Sequence, residues 1–477
     1  MNQIKSIFKN MSWMTSYKIV FSVCAFLWTI ILARYLGVAG YGLISFATAF
    51  TNLTKIIINL GTDKYLTREV ARYKETMPKF INNILPLKTV LSIVLLIFTG
   101  LVLYLLGYSN LTILVTLIFS VDVILSAFAL VFASVFQAYE DMKYQSIGGI
   151  ILSLIVLGGA IGVVIFKLDI ISVAIVYVLG DLFYLLFLLS EYLIKFKLPK
   201  FEFDFKFWIK TIKKSIPFGL TSFFYLVYFS IDMVMISYIV GDYATGIYRS
   251  AYNLINMFTT IYTVYSLVIF PVMSKFFVES KNLIKVTYEQ SVKYLLIFTL
   301  PICMGTFLYA EPILTLIYTS KYAIAAAPLQ ILIWTVPFLF VNGAATLMLN
   351  AINKEVKVTQ IYIIASLFNI GLNLILIQLL SYKGAAISTV VSAILVYLLG
   401  LYYIFKTEHK PDNKLIKIVS KIVVSTLVLG IILYILNLSL WLAIPVGLVI
   451  YLIMLFITKT PDEADKYIIK ELLNKNK

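Results

Sequence analysis

Histidine and cysteine are nearly absent from this chain of 477 residues, which contains one histidine and two cysteines. His409 lies in a lysine-rich segment, and with no second histidine the metalloprotease helices and Ser-His-Asp triads are excluded. Cys24 and Cys303 lie in separate apolar runs, so no disulfide framework, zinc site or iron–sulfur site is available. The dipeptide Gly-Lys, which a phosphate-binding P-loop requires, does not occur. We therefore expect no metal, no cofactor and no enzymatic activity.

Charged residues are also scarce, at 13% of the chain, whereas 61% of the residues are hydrophobic. This composition predicts an all-α polytopic membrane protein in the cell membrane. Apolar runs near the ~20 residues that cross a bilayer number fourteen, at 13–36, 43–60, 86–107, 111–136, 147–166, 169–193, 216–240, 246–270, 291–310, 324–349, 358–380, 384–405, 418–437 and 440–458.

The basic residues are concentrated in alternate gaps between these runs, and the net charge is +16. Of the 39 basic residues, 32 fall in the terminal segments and every second connection, such as the one from Lys64 to Lys88, while five fall on the opposite side. Short basic connections stay in the cytoplasm, so both termini are predicted to be cytoplasmic. The positive charge then indicates contact with anionic membrane lipids and no nucleic-acid binding.

Two pairs of similar segments indicate an internal repeat. LARYLGVAGYGLISFATAFTNL and MISYIVGDYATGIYRSAYNLIN align at an offset of 204, which superimposes Gly37 on Gly241 and Gly42 on Gly246. FQAYEDMK, from Phe136, is similar to LNAINKEVK, from Leu349. Six spans separate the matched segments, so the repeats have the same orientation and are related by an axis along the membrane normal.

The predicted domains follow from this repeat. Residues 1–194 form a lobe of six spans, 195–215 a cytoplasmic linker, 216–406 a second lobe of six spans, and 407–477 a cytoplasmic loop, an extra helix pair and a basic tail. The linker alternates lysines with aromatic residues, a composition typical of a segment at the lipid headgroup boundary. The alternative is a solvated connector.

Polar residues within the spans identify candidate binding positions. Asn52, Lys55 and Asn59 recur with Thr48 on one helical face of the second run, and Lys55 lies roughly 18 Å from its start. The corresponding run of the second lobe carries Arg249, Tyr252 and Asn256. An intramembrane charge marks a cavity or pathway by default, although Asn and Thr also serve as interhelical hydrogen-bonding groups.

Further charges lie at other depths. Lys18 can either reach the cytoplasmic interface or face a cavity, and Arg34 is either a cavity residue or an interface anchor. Asp122 and Asp181 are deep and have no basic partner in their own runs, so they are candidates for ion coupling, with pairing to Lys55 as the alternative. Asp232 can pair with Arg249 across a turn, which favours a structural role.

ARYLGVAGYG and GTDKYLTREVAR, followed by SIDMVMISYIVGDYATGIYRSAY, EPILTLIYTSKYAIAAAPLQIL and KGAAISTVVSAIL, resemble segments of the Wzx-type polysaccharide flippases. These belong to the multidrug/oligosaccharidyl-lipid/polysaccharide exporter superfamily. The resemblance implies two six-helix lobes around a cavity that opens alternately to each side, and transport of a polyprenyl-(di)phosphate-linked oligosaccharide to the outer leaflet. It implies phosphate contacts at Lys18, Lys55 and Arg249, with Arg34 as a further candidate.

Partners and alternatives remain to be distinguished. Membrane lipids, H⁺ or Na⁺, and a polysaccharide polymerase or glycosyltransferase are the candidate partners. A multidrug exporter of the same superfamily is one alternative, although its cavity would be expected to carry acids where this chain has bases. A membrane glycosyltransferase or polysaccharide polymerase is another, but such enzymes typically have a large external or acidic catalytic loop, and no outer connection here is long. A non-transporting scaffold of a polysaccharide-assembly complex is a third.

Overall fold

The computed structural model describes residues 2–279, 281–461 and 465, and within these residues every regular element is helical. The remainder of the predicted basic C-terminal tail lies outside the described residues. The α-helices are α1 (Asn2–Asn59), α2 (Thr62–Arg72), α3 (Met77–Leu105), α4 (Asn110–Ala138), α5 (Lys143–Ile165), α6 (Ile170–Lys195), α7 (Phe205–Ile239), α8 (Asp242–Glu279), α9 (Lys281–Leu308), α10 (Ala310–Ile317), α11 (Ala326–Leu332), α12 (Thr335–Ala351), α13 (Glu355–Leu380), α14 (Tyr382–Phe405), α15 (Asn413–Leu436) and α16 (Leu440–Ile457). Short 3-10 helices cover Lys74–Thr76 and Ser320–Ala325.

Side-chain caps fix the beginning of several helices. Ser109 accepts a hydrogen bond from the Thr112 backbone N–H at the start of α4, and Asp169 accepts one from the Ser172 N–H at 2.9 Å at the start of α6. These bonds satisfy donors that lack a partner in the first turn of a helix. Hydrogen bonding from Ser172 also holds the pKa of the Asp169 carboxyl below its usual range.

Twelve helices in the described part of the chain are long and apolar enough to cross a membrane, or thirteen if one bent pair is a single span. The bent pair is Ser320–Leu332 with Thr335–Ala351, at 41°, where the sequence predicts the single run 324–349. The protein is therefore a multi-pass membrane protein. Helix α1 counts once here, although the sequence predicts two separate runs within it.

The break inside α1 lies at Gly37, whose φ of 69° and ψ of −178° are non-helical. The repeat partner Gly241 also has a positive φ, 110°, and it separates α7 from α8. Positive φ costs little at glycine because glycine has no Cβ. The second matched pair behaves alike, since Glu140 after α4 and Asn353 after α12 have φ values of 56° and 59°. Matched sequence positions thus share a positive φ.

The chain divides into two compact units, residues 1–253 with 362–385 and residues 254–361 with 386–477. In the first unit, α4 packs on α6, α5 packs on α1 and α6, and α3 packs on α4. Aromatic and β-branched side chains fill these contacts, including Phe119, Phe132 and Tyr192. In the second unit, α9 packs against α12 and α15, and α15 packs on α16 through Leu429, Leu433 and Tyr451.

Two pairs of glycines allow close backbone approach within the first unit. In the pair Gly61 and Gly219, a Cβ on Gly61 would lie 2.4 Å from the Gly219 nitrogen. In the pair Gly42 and Gly246, a Cβ on Gly42 would lie 1.8 Å from the Asp242 carbonyl oxygen and 2.9 Å from the Gly246 nitrogen. Such distances leave no room for a side chain, so these positions accept only glycine. Small residues of this kind are typical of helix packing in membranes.

Candidate functional site

The polar face predicted from Thr48 to Asn59 lies on the part of α1 that follows Gly37. Asn52 is exposed, and Lys55 and Asn59 are half-buried. The Thr48 hydroxyl donates to the carbonyl of Ile44, one turn earlier on the same helix. Thr48 is therefore satisfied locally, which leaves Asn52 and Lys55 as the polar side chains of this face that are most available to a ligand.

Lys55 lies beside a serine and two carboxyl groups in the first unit. Its Nζ donates a hydrogen bond to the Oγ of Ser126 on α4 at 3.3 Å. Ser126 also hydrogen-bonds to the carboxyl of Asp181 on α6. Both Asp122 and Asp181 are close enough to Lys55 to interact with its charge. The cluster is held in place because α4 packs on both α1 and α6.

The two candidate coupling residues are neighbours. Asp122 on α4 and Asp181 on α6 lie within hydrogen-bonding reach of each other. The Oδ1 atom of Asp122 is buried, and no N–H or O–H donor of the described residues reaches it. A hydrogen bond between two carboxyl groups requires a proton on one of them, because two ionised carboxylates provide acceptors only. The pair can therefore hold a proton that the two groups share.

A buried lysine completes this region, and it was not among the predicted site residues. Lys88, assigned by composition to a cytoplasmic connection, lies within α3 and is 1% exposed. Its Nζ donates to the Oδ1 of Asn59 at 2.7 Å and lies 3.4 Å from the carbonyl oxygen of Ile58. Those oxygens lie at the C-terminal end of α1, where a positive charge is favourable. The Asn59 side-chain oxygen is therefore already engaged by Lys88.

Arg249 lies in the first turns of α8, as the repeat predicts. It hydrogen-bonds to the Tyr41 hydroxyl, and its Nη1 lies 3.3 Å from the Sδ of Met233. Asn253 also donates to the Tyr41 hydroxyl. Tyr41 thus fixes the guanidinium of Arg249, which remains half-buried and retains further donors.

A second polar cluster surrounds Asp232, which the sequence predicts to be structural. Its two carboxylate oxygens accept hydrogen bonds from the hydroxyl of Tyr248 and the amide of Asn373, both at 2.6 Å. The Asn373 amide also donates to Asn369 one turn earlier on α13. Sequence reasoning missed Asn373 because its partner Asp232 lies 141 residues away in the sequence. All these side chains are buried.

The remaining predicted site residues are Tyr252, Asn256, Lys18 and Arg34. Tyr252 is buried and donates to the carbonyl of Phe229 at 3.4 Å, while Asn256 is half-buried in the second unit. On α1, Lys18 is half-buried, and Arg34 is exposed three residues before the Gly37 break. No group of three or more His, Cys, Asp or Glu residues within the described ranges is placed to hold a metal ion.

Comparison with known proteins gives two family matches. The sequence model described as "Polysaccharide biosynthesis protein" matches residues 7–277, and the one described as "MatE" matches residues 217–375. Two uncharacterized membrane proteins of Methanocaldococcus jannaschii are each 27% identical to this chain. One match covers 39% of this chain and 37% of that protein, so it reaches little more than a third of the relative's length. The other covers 80% of this chain and 94% of the relative.

Solved structures share the fold. A lipid II flippase MurJ in an inward closed conformation has a TM-score of 0.78 at 19% identity, covering 92% of this chain and 97% of that one. An inward-facing multidrug resistance MATE family transporter has a TM-score of 0.64 at 15% identity, covering 82% and 95%. A transporter of the MOP superfamily from Pyrococcus furiosus has a TM-score of 0.58 at 17% identity, covering 84% and 96%. The fold is thus one found in a flippase and in transporters.

Proposed function

Because this chain belongs to the polysaccharide biosynthesis protein family, whose model matches more than half of it, we propose that it is a flippase. Its substrate is an oligosaccharide linked to a polyprenyl phosphate or diphosphate, moved from the cytoplasmic to the outer leaflet by alternating access. One observation carries the proposal. Lys55 lies on a polar face of a membrane-spanning helix beside exposed Asn52, where a cation and an amide can receive an anionic, hydroxyl-rich head group.

The physical requirements of such a substrate agree with this site. The polyprenyl tail can remain in the bilayer, whereas the charged, sugar-bearing head cannot cross hydrocarbon without a polar path. Ammonium and guanidinium groups bind phosphate, and amides and hydroxyls bind sugar hydroxyls. The likeness to the fold of a lipid II flippase supports a path of this kind but does not identify the sugar.

The proposed roles differ among the substrate-binding residues. Lys55 and Arg249 are the main phosphate contacts, since each retains donors beyond its contacts within the protein. Lys18 and Arg34 are additional cations along the path. Asn52 contacts sugar directly. Three further positions take part in the proposed site, namely Asn59, which acts through Lys88, and Tyr252 and Asn256, which lie on the equivalent helix of the repeat.

The proposed topology has fourteen spans with both termini in the cytoplasm. Gly37 divides α1 at the position where Gly241 separates α7 from α8, so α1 supplies two spans. The segment from Val38 to Asn59 is about 33 Å long at 1.5 Å per residue, enough to cross the ~30 Å hydrocarbon layer. Together with the bent pair, this division gives fourteen. The basic residues orient the chain, and labelling of a cysteine at Lys206 from outside intact cells would contradict that orientation.

Ion coupling in this proposal resides in Asp122 and Asp181. Because a hydrogen bond between two carboxyl groups includes a proton, their approach favours H⁺ over Na⁺ as the coupling ion. Lys55 is linked to the same pair through Ser126. A phosphate that draws Lys55 away would leave the carboxyl pair with less nearby positive charge and so favour its protonated form. Substrate and proton binding are then linked.

A multidrug exporter is the second candidate, favoured by the match of the MatE model to residues 217–375. The two functions differ in the charge of their cargo. Lys18, Lys55 and Arg249 favour an anionic cargo, whereas a cationic drug would be repelled by them. If the chain is a flippase, its partners in the cell are the polymerase or glycosyltransferases that use the same lipid-linked sugar.

The decisive experiment is reconstitution in sealed vesicles that contain a lipid-linked oligosaccharide. Flipping exposes the head group to a membrane-impermeant enzyme or reagent, with and without an imposed pH or sodium gradient. Export of cationic dyes from the same vesicles, without movement of the lipid-linked sugar, would establish the second candidate. Vesicles without the protein provide the background rate, and Lys55→Ala vesicles should flip the lipid-linked sugar about tenfold more slowly or slower still.

A further inference from the structure

The segment between α6 and α7 is an extended strap clasped to the start of α3. Residues 197–204 form no helix, and Asp204 then caps α7 by accepting a hydrogen bond from the Phe207 N–H at 2.9 Å. The sequence Phe-Glu-Phe-Asp-Phe at 201–205 alternates apolar and acidic residues. In an extended backbone such alternation places successive side chains on opposite sides.

Two adjacent asparagines on α3 hold the acidic side of this strap. The side chain of Asn82 accepts from the Lys200 N–H at 2.8 Å and donates to Glu202 at 2.7 Å, and its carbonyl accepts from the Glu202 N–H at 3.0 Å. Asn83, which is 0% exposed, donates to Glu202 at 3.1 Å and accepts from the Asp204 N–H at 3.1 Å. These five hydrogen bonds fix both the position and the direction of the strap.

The other side of the strap consists of three phenylalanines. Phe201, Phe203 and Phe205 are 66%, 64% and 66% exposed, an unusual degree of exposure for three large apolar side chains in a row. The three rings face outward because hydrogen bonds to Asn82 and Asn83 hold Glu202 and Asp204 against α3. Six exposed lysines lie in the strap or in the first turns of α7, namely Lys197, Lys200, Lys206, Lys210, Lys213 and Lys214.

The level of the strap can be measured along α3. Exposed apolar side chains of this helix end at Leu106, and the twenty residues that cross hydrocarbon extend back from there to Leu87. Asn83 is four residues further, about 6 Å at 1.5 Å per residue. The headgroup layer is roughly 5–7 Å thick on each side of the hydrocarbon. The contact of the strap with Asn82 and Asn83 therefore lies at the level of the headgroups.

We propose that the strap is a lipid-binding element that inserts Phe201, Phe203 and Phe205 among the headgroup-proximal parts of the acyl chains of a leaflet rich in anionic lipid. Charge complementarity selects this occupant, since six exposed lysines lie in or next to the strap and a surface of anionic headgroups attracts them. Aromatic rings with flanking lysines are typical of segments that lie in the interface. The proposal depends on the membrane placement of α3 and is independent of which substrate the protein moves.

The test uses the full chain with a bimane label on Phe203→Cys, reconstituted in phosphatidylcholine vesicles with and without phosphatidylglycerol. Cys24 and Cys303 are buried, and background labelling is measured on the unsubstituted protein. Phe201→Cys serves as a second position in case one variant misfolds. Glu140→Cys, in the polar connection between α4 and α5, is the matched control.

The expected result is strong quenching at Phe203→Cys and Phe201→Cys by lipids that carry a spin label near the headgroup. Quenching should be weaker for labels at the chain end and should increase when phosphatidylglycerol is present. The control should be quenched by aqueous iodide. Replacing Asn82 and Asn83 by Ala should reduce the lipid quenching several-fold, because the rings are then no longer held outward.

Three results would overturn the proposal. A label at Phe203 that iodide quenches as fully as the control would show that the strap faces water. Equal quenching in neutral and anionic vesicles would remove the role of the lysines. Quenching that depends on the protein-to-lipid ratio would assign the surface to a second copy of the chain. None of these measurements involves transport, so a failed flippase assay leaves the test unaffected.

Discussion

Gly42 and Gly246 lie with backbone against backbone, and each meets the residue that precedes the other by four positions. A Cβ on Gly42 would lie 1.8 Å from the Asp242 oxygen, and one on Gly246 would lie 2.0 Å from the Val38 oxygen. The offset of 204 that relates the two glycines also relates Val38 to Asp242. The contact is therefore reciprocal, as expected where a local two-fold axis passes between repeats.

Substituting Gly246 by Ala should lower stability, because the new methyl group would overlap with the backbone of Val38, which cannot rotate away as a side chain can. The expected loss is about 1–3 kcal/mol, typical of overpacking. The apparent Tm in detergent measures it. Gly162→Ala is the control, since no atom lies within 4 Å of that Cβ and alanine favours a helix. A Tm for Gly246→Ala equal to that of the control would contradict the close contact.

Substitutions of Lys55 should show whether transport depends on the positive charge at this position or on the shape of the lysine side chain. Lys55→Arg should retain much of the transport, because the positive charge remains. Lys55→Gln and Lys55→Ala should reduce it about tenfold or more, the effect of losing one charge-assisted hydrogen bond to phosphate. Vesicle flipping assays measure these rates.

The same series tests the link to the carboxyl pair. Since Lys55 lies beside Asp122 and Asp181, Lys55→Ala leaves those groups without their nearby cation and should also lower the Tm. Adding Asp181→Asn to that variant should restore the Tm without restoring transport. Full transport by a well-folded Lys55→Ala protein would exclude the proposed role.

Asp122→Asn and Asp181→Asn should each abolish the response of transport to an imposed pH gradient. Asparagine keeps the shape of the side chain but cannot exchange a proton, so flipping down the substrate's own gradient should persist while acceleration by the proton gradient disappears. Asp169→Asn is the control, because Asn caps a helix as well as Asp. An unchanged pH response in both span variants, or a response to sodium alone, would show that coupling lies elsewhere.

Lys88→Met should destabilise the first unit by about 1–3 kcal/mol, because it leaves the Asn59 oxygen and the end of α1 without their donor. Adding Asn59→Leu should recover part of this loss in a double-mutant cycle. Lys143→Met, on an exposed lysine of α5, should change the Tm little. Additive effects of Lys88→Met and Asn59→Leu would mean that the two side chains do not interact.

Much of the fold could be predicted because it depends on local sequence patterns. Apolar runs identified the spans, and the positions of Gly37 and Gly241 identified matching turns, both of which have positive φ. The bend between Leu332 and Thr335 was not foreseen. Its apolar run is unbroken, so hydropathy alone cannot detect it; the local signal is Pro337, which has no N–H to donate to the Ile333 carbonyl four residues earlier.

The site was less predictable than the fold because it depends on which helices meet. Periodicity made Lys55 a candidate, and depth made Asp122 and Asp181 candidates, but nothing local indicates that α4 and α6 bring the two acids together. Lys88 was missed since a lysine next to a basic connection looks like part of it. The signal that could have found it is its position inside the apolar run 86–107, which places it within the helix that the structure shows as α3.

The break at Gly37 also determines where the chain can be altered. Helix continues on both sides of this single residue, so no loop separates the two parts of α1, and this break offers no flexible segment for an inserted tag or reporter domain. Inserted residues would have to displace buried Val38, which would remove the contact between Val38 and Gly246. Topology mapping at this break should therefore use single-residue labels, such as substituted cysteines, and not inserted domains.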